Sequence, residues 1–104
     1  MNMTTPFLNT NTELDMIKTR KTVLVYFTAT WCRPCTLICS LFEKLSSQNK
    51  QKEFVKVDAD EGYEICKRYG VRAVPTFILF REKKEVCRLF GNDQKVLTEM
   101  ASSM

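Results

Sequence analysis

KTVLVYFTATWCRPCTLICSLFEKL, residues 21–45, contains the change of period that decides the fold. Its first eight residues are mostly β-branched, aromatic or aliphatic and almost uncharged, which predicts a strand buried on both faces and central in a sheet. After Pro34, the residues Leu37, Ile38, Leu41, Phe42 and Leu45 recur three and four apart, which predicts an amphipathic helix fading into the polar SSQNKQK. Two cysteines, Cys32 and Cys35, stand where strand gives way to helix.

On the N-terminal side, TTPFL (4–8) reads as a short first strand that Pro6 confines to an edge or a strand start. NTNTELDMIKTR (9–20) reads as a helix capped by Asn or Thr, with Leu14, Met16 and Ile17 on one face. On the C-terminal side, EFVKVDAD (53–60) is a strand and EGYEICKRYG (61–70) a short helix closed by Gly70. PTFILF (75–80) and EVCRLF (85–90) are strands joined by the charged turn REKK, and Gly91-Asn92-Asp93 caps a last helix with Val96, Leu97 and Met100 inward. The early strands alternate with helices, so they pair in parallel through right-handed crossovers, and the last two pair antiparallel. The expected class is α/β: a mixed five-stranded sheet flanked by four helices, in one domain spanning residues 1–104.

With 44% apolar and 27% charged residues, the 104-residue chain can build a core without disulfides or metals. The net charge of +4 is spread along the chain with no basic stripe, so neither nucleic acid nor membrane is expected as a partner. The opening residues show no secretory signal, and their lack of arginine argues against a transit peptide. Five cysteines, an odd number, suit a reducing compartment, taken to be the cytoplasm.

Cys32 and Cys35 lie three apart around the first turn of a helix, close enough for a disulfide to close. Free N–H groups and the helix dipole there favour a thiolate. Cys32 lies nearer the open end, where exposure would make it the attacking thiol. Cys35, inside the turn and more buried, would be the resolving one. Half of a zinc site and a structural disulfide are the alternatives, but the chain has no histidine and no second C-x-x-C, and no metal is expected.

VLVYFTATWCRPC (23–35) and VRAVPTFILF (71–80), with the spacing between them, resemble the thioredoxin family over essentially the whole chain. The likeness rests on Trp31 before the first cysteine, Pro34 between the pair, the run Val74-Pro75-Thr76 and Gly91 after the last strand. It implies a free-standing protein-disulfide reductase with Cys32 as nucleophile and Cys35 as resolving thiol. Pro75 would be a cis-proline facing them, leaving the Val74 backbone to pair with an extended substrate. Trp31 would lie beside the site with Asp60 on its indole, and Gly91 would let partners approach the groove. No cofactor would be bound. Electrons would come from a partner reductase, thioredoxin reductase, dependent on NADPH, and pass to disulfide-bearing proteins such as peroxiredoxins or ribonucleotide reductase. The expected state is a monomer. A disulfide oxidase or isomerase of the same fold, or a groove-binding module without turnover, are the other readings.

Two residues depart from the family pattern. Tyr26 stands where a buried aspartate is usual, and a phenol of pKa near 10 cannot act as its base. Lys56 matches the lysine usually paired with that aspartate and is expected to lack a partner. Activation of Cys35 then falls to water, the departing thiolate or Lys56, and restoring Asp at 26 is expected to speed resolution. Arg33 replaces a glycine; its cation should stabilise the Cys32 thiolate, make the disulfide more oxidising and favour acidic partners. Cys39, Cys66 and Cys87 read as buried small apolar residues, with Cys66 the exception open to regulatory oxidation or dimerisation.

Overall fold

The structure, a computed structural model, describes residues 5–19 and 22–104; Thr4, Arg20 and Lys21 of the expected elements lie outside the described residues. The elements run α1 (Asn11–Ile17), β1 (Thr22–Thr28), α2 (Arg33–Gln48), β2 (Glu53–Asp58), α3 (Tyr63–Tyr69), β3 (Thr76–Arg81), β4 (Lys84–Phe90) and α4 (Gln94–Ser102). The sheet order is β2-β1-β3-β4, with β1 parallel to β2 and antiparallel to β3, and β3 antiparallel to β4. The uncharged run thus lies inside the sheet, as its composition demands.

Four strands form among the described residues, not the expected five. Residues 6–8 reach β2 through one parallel bridge, Phe7 to Lys56, with Leu8 N–H to Lys56 O and Lys56 N–H to Pro6 O at 2.8 Å each. The ladder stops there for two reasons. Pro6 has no N–H to donate, and the Thr5 N–H turns aside to the Glu43 carboxylate at 3.2 Å.

Side chains of β1 alternate between two cores, one on each face. Leu24 and Tyr26 join Ile38 and Phe42 of α2 and Leu97 and Met100 of α4. Val23, Val25 and Phe27 join Leu14 of α1 and Ile65 of α3. Each fully buried aliphatic or aromatic side chain contributes about 1.5–3 kcal/mol by leaving water.

Three helix residues expected in the core face solvent instead. Leu37 is 68% and Met16 69% exposed, and Val96 is exposed too. Leu37 and Val96 each precede a buried residue, Ile38 and Leu97, and a step of one residue turns about 100° around a helix. Met16 lies off the stripe that Leu14 and Ile17 define three apart in a helix of only seven residues. α1 starts at Thr10 with a capping box: the Thr10 hydroxyl accepts from the Glu13 N–H, and the Glu13 carboxylate accepts from the Thr10 N–H. α3 ends at Gly70 in the left-handed conformation, as expected. The β3–β4 turn places Glu82 and Lys83 at φ 51° and 71°, the sense that matches strand twist in two-residue hairpins. β4 is the sheet edge, and all of it but Leu89 is exposed, so Cys87 is exposed rather than buried.

Candidate active site

Cys32 has extended backbone angles and is the N-cap of α2; its Sγ accepts the Cys35 N–H at 3.2 Å. Arg33 and Pro34 follow as the first helical residues, both exposed, and Pro34 removes an N–H that would have had no partner in that turn. Cys32 and Cys35 are joined by a disulfide with their Cα atoms 5.3 Å apart. The expected difference in burial is absent, because the bond holds both in the core, 4% and 3% exposed. What distinguishes them is place: Cys32 caps the helix from outside, and Cys35 sits within its first turn.

Trp31 is 65% exposed, and its indole N–H donates to Asp60 at 3.1 Å. The Val74–Pro75 peptide is cis, and Val74 packs on the cluster that holds Cys32 and Cys35. Two bonds tie this loop to the sheet: the Gly91 N–H donates to Pro75 O at 2.9 Å, and the Thr76 hydroxyl to Ala73 O at 2.7 Å. Gly91 has φ 109°, a conformation that side chains beyond glycine rarely adopt. The structure therefore brings Trp31, Asp60, Val74, Pro75, Thr76 and Gly91 to the end of the sheet where α2 begins.

Tyr26 lies behind the dithiol, its ring stacked on Phe77 at 4.6 Å and tilted against Phe42 at 5.0 Å. Its hydroxyl donates to the Cys35 carbonyl at 3.0 Å. Burial pushes the phenol up to about 12, so it is a donor, not a proton acceptor, at neutral pH. Tyr26→Phe is expected to lower stability by about 1 kcal/mol, one buried hydrogen bond, and to leave the pH profile of mixed-disulfide resolution unchanged. Urea unfolding and single-turnover kinetics check the two halves.

Lys56 has a partner, contrary to expectation. Its ammonium meets the Glu43 carboxylate at 2.7 Å, with both side chains at most 5% exposed, and lies over the Phe7 ring at 4.6 Å. Glu43 also accepts from the Thr5 N–H and hydroxyl. Burial pushes the Glu43 carboxyl up, but the hydrogen bonds from Lys56 and Thr5 and the Lys56 charge outweigh it and hold the group below its ordinary value. The acid absent at position 26 is thus found on α2, two turns past Cys35. Glu43 escaped the sequence reading, although a signal existed: it adjoins the buried Phe42, Lys56 interrupts an apolar strand, and two buried opposite charges must find each other. Burial also pushes the Cys39 and Cys66 thiols up, which suits structural rather than reactive roles. Among the described residues, no group of three or more His, Cys, Asp or Glu is arranged to hold a metal ion.

The family model for Thioredoxin matches residues 5–103. The chain belongs to the thioredoxin family. It is 42% identical over 90 residues to Thioredoxin-1 of Saccharomyces cerevisiae, covering 86% of each chain. It is 40% identical over 84 residues to the mitochondrial Thioredoxin-2 of Schizosaccharomyces pombe, covering 81% of this chain and 63% of that protein. It spans 22% of the TPR repeat-containing thioredoxin TDX of Arabidopsis thaliana. A cysteine-to-serine mutant of Entamoeba histolytica thioredoxin superposes with a TM-score of 0.91 at 36% identity, over 96% of this chain and 99% of that one. A chain from a study of thiol resolution in yeast mitochondrial 1-Cys peroxiredoxin via glutathione/thioredoxin systems gives 0.90 at 28% identity, over 97% and 96%. The four-stranded sheet with its four helices is a thioredoxin fold, and the bonded Cys32–Cys35 pair fits the C-x-x-C redox site of a family of protein-disulfide oxidoreductases.

Proposed function

We propose that residues 1–104 work as one thioredoxin domain that reduces disulfides of other proteins through Cys32 and Cys35. The observation that carries this reading is the Cys32–Cys35 bond at the start of α2, with the Cys35 N–H directed at Cys32 Sγ. In the reduced protein, that N–H, the helix dipole and the Arg33 cation all stabilise a thiolate on Cys32; thiols at such positions fall from about 8.5 to between about 3.5 and 7.5.

The Cys32 thiolate attacks one sulfur of the substrate disulfide. A bond forms between Cys32 and that sulfur, the substrate S–S bond breaks, and the second substrate sulfur leaves as a thiolate. Cys35 then attacks Cys32 Sγ, forming the Cys32–Cys35 bond and releasing the first substrate sulfur. Two electrons pass to the substrate, and the Cys35 proton goes to a departing thiolate. Lys56 is held by Glu43 and Tyr26 is a donor, which leaves the departing thiolate, directly or through water, to take the Cys35 proton.

Electrons return from an NADPH-dependent thioredoxin reductase, and the domain works without a bound cofactor, as a monomer in a reducing compartment, the cytoplasm. No described helix is long and apolar enough to cross a membrane. Peroxiredoxins and ribonucleotide reductase are substrates of suitable chemistry, and the superposed chain from the yeast peroxiredoxin study supports the first. The test is insulin reduction with NADPH and thioredoxin reductase, followed by the reduction potential against glutathione. Turnover with a potential near −270 mV, about that of thioredoxin, supports a reductase; a value near about −120 mV or no turnover overturns it.

A further inference from the structure

Beside the dithiol runs a groove of about 510 Å³ whose walls include Trp31, Tyr63, Cys66, Lys67, Arg72 and Val74. Trp31 and Tyr63 are each 65% exposed, so the groove offers two aromatic faces to a partner. Its charge is one-sided. Lys67 and Arg72 are its charged lining residues, both exposed, and neither makes an ion pair or side-chain hydrogen bond among the described residues. Three cations elsewhere on the fold are paired: Arg68 with Asp15, Arg88 with Glu85 and Lys56 with Glu43. The neighbouring acids keep their charge, but none of them lines the groove. Asp60 holds the Trp31 indole, Asp58 accepts from the Asp60 and Glu61 N–H groups, and Glu64 accepts from the Asn11 N–H. Glu61 lies outside the lining. Arg33, exposed at the start of α2, adds a third cation on the dithiol side.

A chain laid along this groove can pair with the backbone of Val74, whose N–H and C=O have no partner among the described residues. Arg72 stands two residues before Val74. The chain bends at residues 73–75, so Arg72 and Val74 stand close together on the groove wall, and a substrate side chain a few positions from the one at Val74 comes within reach of Arg72.

We propose that Lys67 and Arg72 make this groove selective for disulfide-bearing protein segments that carry a carboxylate within a few residues of the reacting cysteine. An apolar side chain lies between Trp31 and Val74, and the carboxylate meets the two cations. The proposal rests on the reductase reading and adds the substrate class that the groove prefers.

Three disulfide peptides, identical except for Glu, Gln or Lys two residues from one cysteine, test it with the full chain, Cys32 and Cys35 intact. At about 0.01 M ionic strength, where the Debye length is about 30 Å, kcat/KM for the Glu peptide should exceed that for the Lys peptide about tenfold. At about 0.15 M, where it is about 8 Å, the ratio should shrink severalfold. In Lys67→Glu/Arg72→Glu, checked for folding by circular dichroism, the preference should invert. A Glu-to-Lys ratio within about twofold of unity, or one that persists in the double variant, overturns the proposal and leaves the reductase reading intact. Failure to reduce any of the three peptides overturns both.

Discussion

Cys35→Ser should convert the protein from a turnover catalyst into a trap. The Cys32 thiolate still attacks and the substrate disulfide still opens, but no second thiol in the helix turn can break the bond that forms. A covalent one-to-one adduct should accumulate on non-reducing gels, with its mass split at Cys32, while insulin reduction falls to the rate of the uncatalysed exchange. Cys32→Ser should abolish both turnover and adduct. The assignment follows from helix position: Cys32 caps α2 and receives the Cys35 N–H, whereas Cys35 is enclosed by its own turn and by Tyr26. Trapping by Cys32→Ser, or continued turnover by Cys35→Ser, would reverse or remove it.

Glu43→Ala should cost about 3–5 kcal/mol, because it strands the Lys56 ammonium in the core without a counter-charge. That is a large part of the 5–15 kcal/mol that typically holds a domain together. It also takes the acceptor from two Thr5 donors, so the N-terminal segment should loosen from β2. Replacing both charges, as in Glu43→Leu/Lys56→Met, should recover most of the loss, since the pair contributes little beyond what apolar packing would. Urea midpoints of the three proteins at neutral pH separate these outcomes; a cost below about 1 kcal/mol for Glu43→Ala would place the pair in water.

The acid limb of the stability curve carries the same information. Glu43 has its carboxyl held below the ordinary value in the folded state, so the unfolded chain binds its proton more readily. Its stabilising contribution is present above the unfolded pKa of about 4.3 and is lost as pH falls through the folded value. Glu43→Gln should therefore start less stable at neutral pH and lose less between about pH 5 and 3 than the parent protein.

The alternation in TVLVYF places Leu24 and Tyr26 on one face of β1 and Val23, Val25 and Phe27 on the other, and a run apolar at both parities must lie inside the sheet. The cysteine pair was equally readable, since strand, C-x-x-C and apolar helix follow one another with only Ala29, Thr30 and Trp31 between strand and motif. Leu37 was not, because periodicity marks the stripe without marking its edge, and one residue's rotation decides between core and solvent. The fifth strand failed because hydropathy does not register where an N–H goes, and the Thr5 N–H goes to a side chain distant in sequence.

From residue types and their spacing alone came the element order, the two-faced core and the redox turn at the head of α2; that Tyr26 replaces a buried acid came from the family resemblance. The first three are local or periodic properties, carried by residues a few positions apart. Only the folded chain decided that Lys56 is neutralised by Glu43, that Tyr26 hydrogen-bonds the Cys35 carbonyl, and that Lys67 and Arg72 line one groove with Trp31. Each of these joins residues on different elements, and no period along the chain encodes which side chains meet once sheet and helices have packed.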